Sequence, residues 1–505
     1  MSRRLSAAFG LAAPLVMGAA VILLPITSMP LISRLMDHAL VAPPSAVLVG
    51  LMTLVWLPLF ILRGGLIPRE TAPLWAFVYV ALVSAGLAFF RLYPSYKGYT
   101  VGRNETSALL TLGMALAFYL VFALYYRGSR ELKSFFAMLN ISGCILLAWS
   151  LVQLYVVVTT RGEYDGWMVR FHDFLSLRSL TSHTFYSRLT GFAFEPSWLA
   201  NMLNLLYLPF WLAATVTGFS AFPKIWRISL ENLLLPVGAL VLVGSFSRIG
   251  LAAFLLMLAY LAFALLLRIS RRLARWLANS LHWGTSRLLN LALAALLTVA
   301  ALVFFFQASL ALVRKLSAYD VRAARLLDLD NYYTRDPYQL SRNFAFGERL
   351  VYWALGWRIF ADYPLLGVGL GNAGFFFIEK LPFQGWDLAE TIQVADETGY
   401  LPNVKSLWSR ILAETGLLGF STLAAWLFVL WRAGWFLKAQ SDRLLRAAGW
   451  MGSFVIIALI LEGFSVDSFA LPYPWVSLGV ITAASALGRA ASVQNPEFAL
   501  LRENA

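Results

Sequence analysis

A chain of 505 residues with 60% hydrophobic and only 13% charged side chains, at a mean hydropathy of +0.71, has too little polar surface to stand alone in water, and a soluble multidomain enzyme is excluded. Lys and Arg number 40 against 26 Asp and Glu, a formal charge of +14 that in so apolar a chain points to anionic lipid and lipid-phosphate headgroups rather than nucleic acid. The single cysteine, Cys144, lies in an apolar run, which excludes an intrachain disulfide and a cysteine metal cluster.

Long apolar runs must be helices, because backbone groups facing lipid have to bond within their own segment. The sequence predicts about twelve, near 9–29, 45–62, 73–90, 107–126, 135–158, 197–217, 230–246, 249–267, 288–310, 407–430, 447–464 and 470–488. The first run follows MSRR, is long and has no small-residue cleavage site after it, so it reads as a retained span rather than a signal peptide. Orientation follows from the positive charges. With the N-terminus inside, the inward loops carry Arg63 and Arg69; Arg127, Arg130 and Lys133; Lys224 and Arg227; Arg268, Arg271, Arg272, Arg275 and Arg287; and Arg432, Lys438, Arg443 and Arg446. Both termini are then cytoplasmic. The 91–106 connection, with Arg91, Lys97 and Arg103, runs against the trend.

This topology places two long connections on the outer face, 159–196 and 311–406, neither of low complexity, and both are expected to fold. They divide the chain into 1–158 with spans one to five, 159–310 with the first outer loop and spans six to nine, the large outer loop 311–406, and 407–505 with the last three spans. In the large loop, LVYWALGWRIF sets Leu350, Trp353, Ala354, Trp357 and Phe360 on one side of a helix, an amphipathic element suited to lying on or dipping into the membrane. Asp362, Tyr363 and Pro364 stop it. No repeat relates the first six spans to the last six, which weighs against a two-halved transporter.

Charge beside or inside membrane segments is expensive and marks candidate sites. Three clusters reach the same outer face. The first is RLTGFAFEPSWLA, with Arg188 and Glu195 just before span six. Pro196 suits a first helical turn and Glu195 the positive end of the helix dipole; the same carboxylate at the water interface is able to take a proton from a hydroxyl or orient a sugar. The second is GSFSRIG, where Arg248 interrupts an apolar stretch from 232 to 267, so two spans joined by a turn at Ser247–Gly250 fit better than one helix. A guanidinium there fits phosphate or pyrophosphate. The third gathers Arg342, Arg349, Arg358, Lys405 and Arg410, with Glu348, Asp362 and Glu414 as local partners. Outer positive charge breaks the positive-inside rule, and a lipid-linked phosphate would compensate for it.

Other motifs carry less. GLGNAG, from Gly369 to Gly374, satisfies GxGxxG but follows a helix rather than a strand, and reads as a glycine-rich turn. Asp328-Leu-Asp330 is a lone DxD, and no metal site is expected. His172 and His183 in the first outer loop are acid/base candidates that read more readily as loop or interface histidines; His38 and His282 form no constellation.

GERLVYWALGWRIFADYPLLGVGLGN, followed by SLWSRILAETGLLGF, resembles the shared domain of the O-antigen ligase and O-antigen polymerase superfamily; SFSRIG is similar to its serine-arginine turn, and RLTGFAFEPSWLA to an R…G…EPS element of polysaccharide polymerases. The resemblance covers roughly 185–430. It implies a GT-C-like glycosyltransferase of the bacterial inner membrane, acting on the periplasmic face without metal or other cofactor on an undecaprenyl-diphosphate-linked glycan. Arg248 and Arg349 fall on the two arginines used against the lipid diphosphate. Where the family commonly has a His-Asn pair, this chain has Lys405 and Ser406, which makes Lys405 a phosphate contact and leaves Glu195 or a loop histidine as the base. Arg188 would hold Glu195 or a phosphate, and Trp353, Trp357 and Trp408 would stack on sugars or line the polyprenyl groove. The implied partners are lipid-linked donor and acceptor, membrane lipid and a chain-length regulator or other assembly protein. The EPS element and the missing His-Asn pair favour a polymerase; a ligase is the alternative, and a glycan or lipid transporter the alternative of another class.

Overall fold

The computed structural model describes residues 3–36, 39–91, 93–181, 187–280, 287–319, 321–396 and 401–494. Among them the elements are helical, and extended pairing is limited to isolated bridges. Among the described residues nine helices are long and apolar enough to cross a membrane: Pro44–Leu62, Arg69–Ala88, Val101–Tyr125, Ser129–Thr160, Pro196–Thr217, Arg248–Trp276, Ala295–Leu316, Leu407–Lys438 and Arg443–Glu462. This is the pattern of an all-α, polytopic membrane protein.

Each of the nine falls on an expected span, and the other three expectations fall on the helices Arg3–Ile22, Leu230–Gly244 and Tyr473–Gln494. The first helix, Arg3–Ile22, has 20 residues, whereas Leu230–Gly244 is apolar but short; at 1.5 Å per residue, its 15 residues reach only about 22 Å of a core roughly 30 Å thick. Tyr473–Gln494 carries Ser477, Thr482, Ser485 and Arg489. Its middle, including Val476, Leu478, Val480 and Ile481, is buried by protein. A helix that meets protein rather than lipid does not need a hydrocarbon-like surface.

By contacts the chain forms two compact units. The first comprises Met1–Leu251, Leu355–Lys380 and Thr398–Ala505; the second comprises Ala252–Ala354 and Leu381–Glu397. At the centre of the first lie Pro196–Thr217 and Arg443–Glu462, with 89% and 83% of their apolar windows buried, against 17% for the peripheral Pro44–Leu62. Polar pairs fix which helix faces which. Tyr119 Oη lies 2.9 Å from Thr482 Oγ1, Ser142 Oγ lies 2.7 Å from Tyr207 Oη, and Trp211 Nε1 donates to Asn140 Oδ1 at 3.0 Å. Asn140 Nδ2 in turn donates to Glu231 Oε1 at 2.7 Å. Left without partners in an apolar interior, such groups would each cost a few kcal/mol, so each pair penalises other helix registers.

Within this unit the connections alternate between two ends. At one end Leu177 N donates to Ser28 O, Arg188 reaches the Ser245 carbonyl, Arg91 the Gly367 carbonyl, and Ser406 the Gly463 carbonyl. At the other, Arg127 Nη2 donates to Leu66 O at 2.7 Å and Arg489 pairs with Glu70. This is the odd and even grouping that alternating spans require.

The Leu407–Lys438 helix is broken at Gly416, where φ is 64° and ψ −165°. The segment Tyr363–Asn372 fills the break: Val368 N donates to Ala413 O at 2.9 Å, Gly369 N to Glu414 O at 3.0 Å, and Leu417 N to Pro364 O at 2.8 Å. Gly367, at φ 65°, passes so close that a Cβ would lie 2.3 Å from the Glu414 carbonyl carbon. From the other side Arg91 and Tyr93 donate to the Gly367 and Val368 carbonyls, and Asn372 Nδ2 donates to buried Glu105 at 2.7 Å. GLGNAG therefore belongs to a packed plug, and Arg91, one of the three positive charges that run against the trend, has its partner inside the protein.

The Gly347–Asp362 helix contains the expected run LVYWALGWRIF, begins three residues before it and stops at Asp362, where the sequence places its end. Its buried face is Val351, Tyr352, Leu355 and Ile359, while Trp357 of the expected stripe is 60% exposed. The other four residues of the stripe, Leu350, Trp353, Ala354 and Phe360, are half-buried.

Candidate functional site

Pro196 has no N–H to lose and a φ preset for the first helical position, so it starts Pro196–Thr217 and leaves Glu195 extended as its N-cap. The Glu195 side chain makes no cap hydrogen bond. It is held by Arg178 Nη1 at 3.3 Å and by Ser197 Oγ, which donates to Oε2 at 3.1 Å, with about a third of its surface exposed. Arg178, whose role the sequence did not reveal, also lies over the Phe194 ring at 4.2 Å. The dipole explains why an acid is tolerated here; the arginine fixes its direction.

The serine-arginine turn is built by its own side chains. Ser245 Oγ donates to Leu242 O at 2.6 Å and accepts from Ser247 N at 3.3 Å; Phe246 takes a left-handed φ of 49°; Ser247 Oγ accepts from Gly250 N at 3.3 Å. Arg248 is therefore the first residue of the helix Arg248–Ser280. Arg188 braces this turn, giving Nε to Ser245 O at 2.9 Å and Nη2 to Phe246 O at 3.3 Å. The first and second clusters are thus joined: the arginine of the EPS element holds the turn from which Arg248 springs.

The two helix starts also touch directly. A Cβ on Gly250 would lie 2.6 Å from Ala200 Cβ, and Asn204 Nδ2 donates to Gly250 O at 2.8 Å. Asn204 and Asn201 reach Glu462 at 2.7 and 3.4 Å, and Glu462 is fully buried. An acid at the end of a span whose residues from Ala447 to Leu461 are uncharged was the available signal for this residue; sequence reasoning passed over it.

Of the third cluster, Lys405 sits beside the end of the helix carrying Glu462. Its own φ is left-handed at 49°, Ser406 caps the next helix and donates to Gly463 O at 3.2 Å, and Leu407 N donates to the same carbonyl at 2.7 Å. Trp408 Nε1 donates to Ile460 O at 2.9 Å. Arg410 is engaged internally, by Glu414 Oε2 at 2.9 Å and the Asp467 carbonyl at 2.9 Å, and Arg358 is exposed, its Nη1 reaching Lys380 O at 3.3 Å. In the second unit Arg342 is paired with Asp387 at 2.9 Å, Arg349 lies in the first turn of Gly347–Asp362, and Trp353 meets Phe346 edge-on at 5.1 Å.

Asp328 caps its own turn, accepting from Asp330 N at 3.1 Å, and no group of three metal-capable side chains occurs among the described residues. His38, His183 and His282 lie outside the described residues. The arrangement at Glu195 and Arg248 offers an oriented carboxylate and a guanidinium at the starts of two touching helices.

Residues 233–424 match the family model described as O-antigen ligase. The match falls inside the 185–430 range of the resemblance and supports the likeness of that region to the O-antigen ligase and polymerase superfamily. No curated protein matches the chain significantly.

Proposed function

With the O-antigen ligase domain as premise, we propose that the protein is a membrane glycosyltransferase that moves a glycan from an undecaprenyl-diphosphate carrier to a sugar hydroxyl on the periplasmic face of the bacterial inner membrane, polymerising lipid-linked repeat units. The observation that carries the reading is the joining of Glu195, Arg188 and Arg248 at one end of the first unit. Diphosphate is a leaving group already tied to the donor, so the protein has to place the acceptor, stabilise charge on the departing oxygen and accept one proton. Arg248 supplies the charge stabilisation. Glu195, held by Arg178 and Ser197, orients or deprotonates the acceptor hydroxyl. Arg188 acts on Arg248 through the turn. Arg349, Arg342, Arg358, Lys405 and Trp353 enter on the resemblance and on their charge or ring. Arg410 is assigned to structure by its ion pair.

The ligase reading, transfer to a lipid or protein acceptor, is favoured by the matched family's description. One experiment separates the readings. Purified protein given lipid-linked repeat units alone, without nucleotide or ion gradient, yields a ladder of lengthened glycan if it is a polymerase; product only after a second acceptor is added identifies a ligase. No product in either case rejects both in favour of a carrier. Arg248→Ala and Arg349→Ala are expected to abolish product while leaving membrane insertion intact, and normal product from both would reject the diphosphate clamp.

A further inference from the structure

At the end of the first unit opposite Glu195 and Arg248, three helix ends and the turn at Leu66–Pro68 surround a cleft of about 530 Å³ that the proposed reaction leaves without a role. That is within the roughly 300–1,000 Å³ usual for small-molecule sites. Its walls follow from the sequence. Ala483, Ala486 and Ala490 recur at helical spacing on Tyr473–Gln494, and with Ala123 they leave room where larger side chains would close the gap. Around the space stand Arg69, the first residue of Arg69–Ala88, Arg127, just past Val101–Tyr125, and Arg489.

The lining has three guanidiniums against one carboxylate among the described residues. That carboxylate, Glu70, is buried and paired with Arg489, whose Nη2 also donates to Ser485 Oγ at 2.9 Å. Arg127 gives Nε to Leu124 O at 3.1 Å and Nη2 to Leu66 O at 2.7 Å, and lies over the Phe60 ring at 4.0 Å. Carbonyls and a ring fix where this guanidinium sits and leave its charge in place. Arg69 is exposed, and it lies near enough to Arg489 for the two charges to repel. Just outside the lining, Glu131 is accompanied by Arg130 and Lys133 on the same turn, so the surroundings do not reverse the sign.

Beside this charge lies bare hydrocarbon. Leu66, whose carbonyl anchors Arg127, is 80% exposed and Leu62 is 82% exposed. A freely diffusing anion would use the guanidiniums and leave both leucines in water; a lipid with a charged head uses both features. We propose that this cleft seats the phosphate of an anionic phospholipid, held by Arg69 and Arg127, with its acyl chains along Leu62 and Leu66. A guanidinium fork fits phosphate oxygens, and basic pockets between membrane helices bind such headgroups. The lipid braces the junction of three helix ends, and its binding does not rest on the glycan-transfer reading.

The test reads the cleft itself. Full-length protein carrying Cys144→Ala and Leu66→Cys is held in a neutral detergent, and its rate of maleimide labelling is followed as phosphatidylglycerol, phosphatidylcholine or glycerol phosphate is added. Phosphatidylglycerol is expected to slow labelling severalfold, and the other two, at the same concentrations, to have little effect. Arg69→Gln and Arg127→Gln, each with melting temperature unchanged, are expected to raise the phosphatidylglycerol concentration needed by about fivefold, the worth of one basic side chain at an anionic headgroup. Arg130→Gln, which alters an exposed arginine outside the cleft, should leave that concentration unchanged. Arg69 makes none of the carbonyl contacts that hold Arg127, so its variant keeps the test open if Arg127→Gln misfolds. No protection by phosphatidylglycerol, or protection undiminished in folded Arg69→Gln, would overturn the assignment. Equal protection by phosphatidylcholine would mean that the cleft does not read charge, and equal protection by glycerol phosphate that it takes a soluble anion instead. A loss in Arg130→Gln as large as in Arg69→Gln would reduce the effect to general surface charge; each of these three outcomes also rejects the lipid site.

Discussion

Glu195 and Arg248 owe their positions to different local chemistry. The acid is left outside its helix because Pro196 takes the first helical position, and it is aimed by Arg178. The arginine opens its helix because two serines and a left-handed Phe246 close the turn before it. If Glu195 is the base, Glu195→Gln should lower turnover by about a hundredfold or more, while donor affinity changes little, since the isosteric amide can keep the contact with Ser197 but loses the proton acceptor together with the charge paired with Arg178. Single-turnover rates and donor titration measure the two separately; equal losses would reduce Glu195 to a shaping role. Arg248→Lys should not restore activity to the level of arginine, because an ammonium lacks the two-pronged geometry that fits a diphosphate. Arg188→Ala should act more mildly, through the turn, and show itself first in donor binding.

The plug formed by Tyr363–Asn372 is where helices and loop depend most on one another. The broken Leu407–Lys438 helix leaves carbonyls and amides unpaired at Gly416, and the loop supplies the missing partners. Both glycines adopt positive φ with backbone atoms 2.3 Å from where a Cβ would be. Gly367→Ala and Gly416→Ala should therefore each destabilise the protein by at least about 1–3 kcal/mol, from strain and displaced packing together. Gly113→Ala, in the interior of Val101–Tyr125 with no atom within 4 Å of the added methyl, should leave stability unchanged or slightly raised. Thermal unfolding in detergent compares the three; equal melting temperatures would show that the plug does not hold the helix break.

The alternation of connections between two ends of the first unit follows from the order of the spans, but which end faces the cytoplasm rests on the positive charges. Cys144 is the single cysteine, so a Cys144→Ala background permits site-directed labelling. Lys97→Cys should react with a membrane-impermeant maleimide on intact cells, and Arg130→Cys only after the inner membrane is opened. Labelling in the reverse pattern would turn the proposed site toward the cytosol and remove the periplasmic reaction. The contact-defined units cut the chain at positions unlike the loop-defined segments 1–158, 159–310, 311–406 and 407–505, because compactness joins residues across a loop whereas topology divides at it.

Composition and periodicity alone determined that the chain is helical and membrane-embedded, where nine of its spans lie, that Asp362 ends the helix carrying LVYWALGWRIF, and that the serine-arginine motif separates two helices, although the break falls at Ser245–Ser247 rather than at Ser247–Gly250. These depend on short-range sterics and on the length of an apolar run, both written locally. Packing decided the rest. Tyr473–Gln494 could be less apolar because protein rather than lipid surrounds it, Arg410 was drawn into a pair with Glu414, and Arg188 was turned onto the Ser245 and Phe246 carbonyls. Glu462 came into view only when distant helices met. A guanidinium or carboxylate looks the same in a sequence whether its partner is a substrate or a neighbour, and the partner is settled by distances that only the folded chain contains.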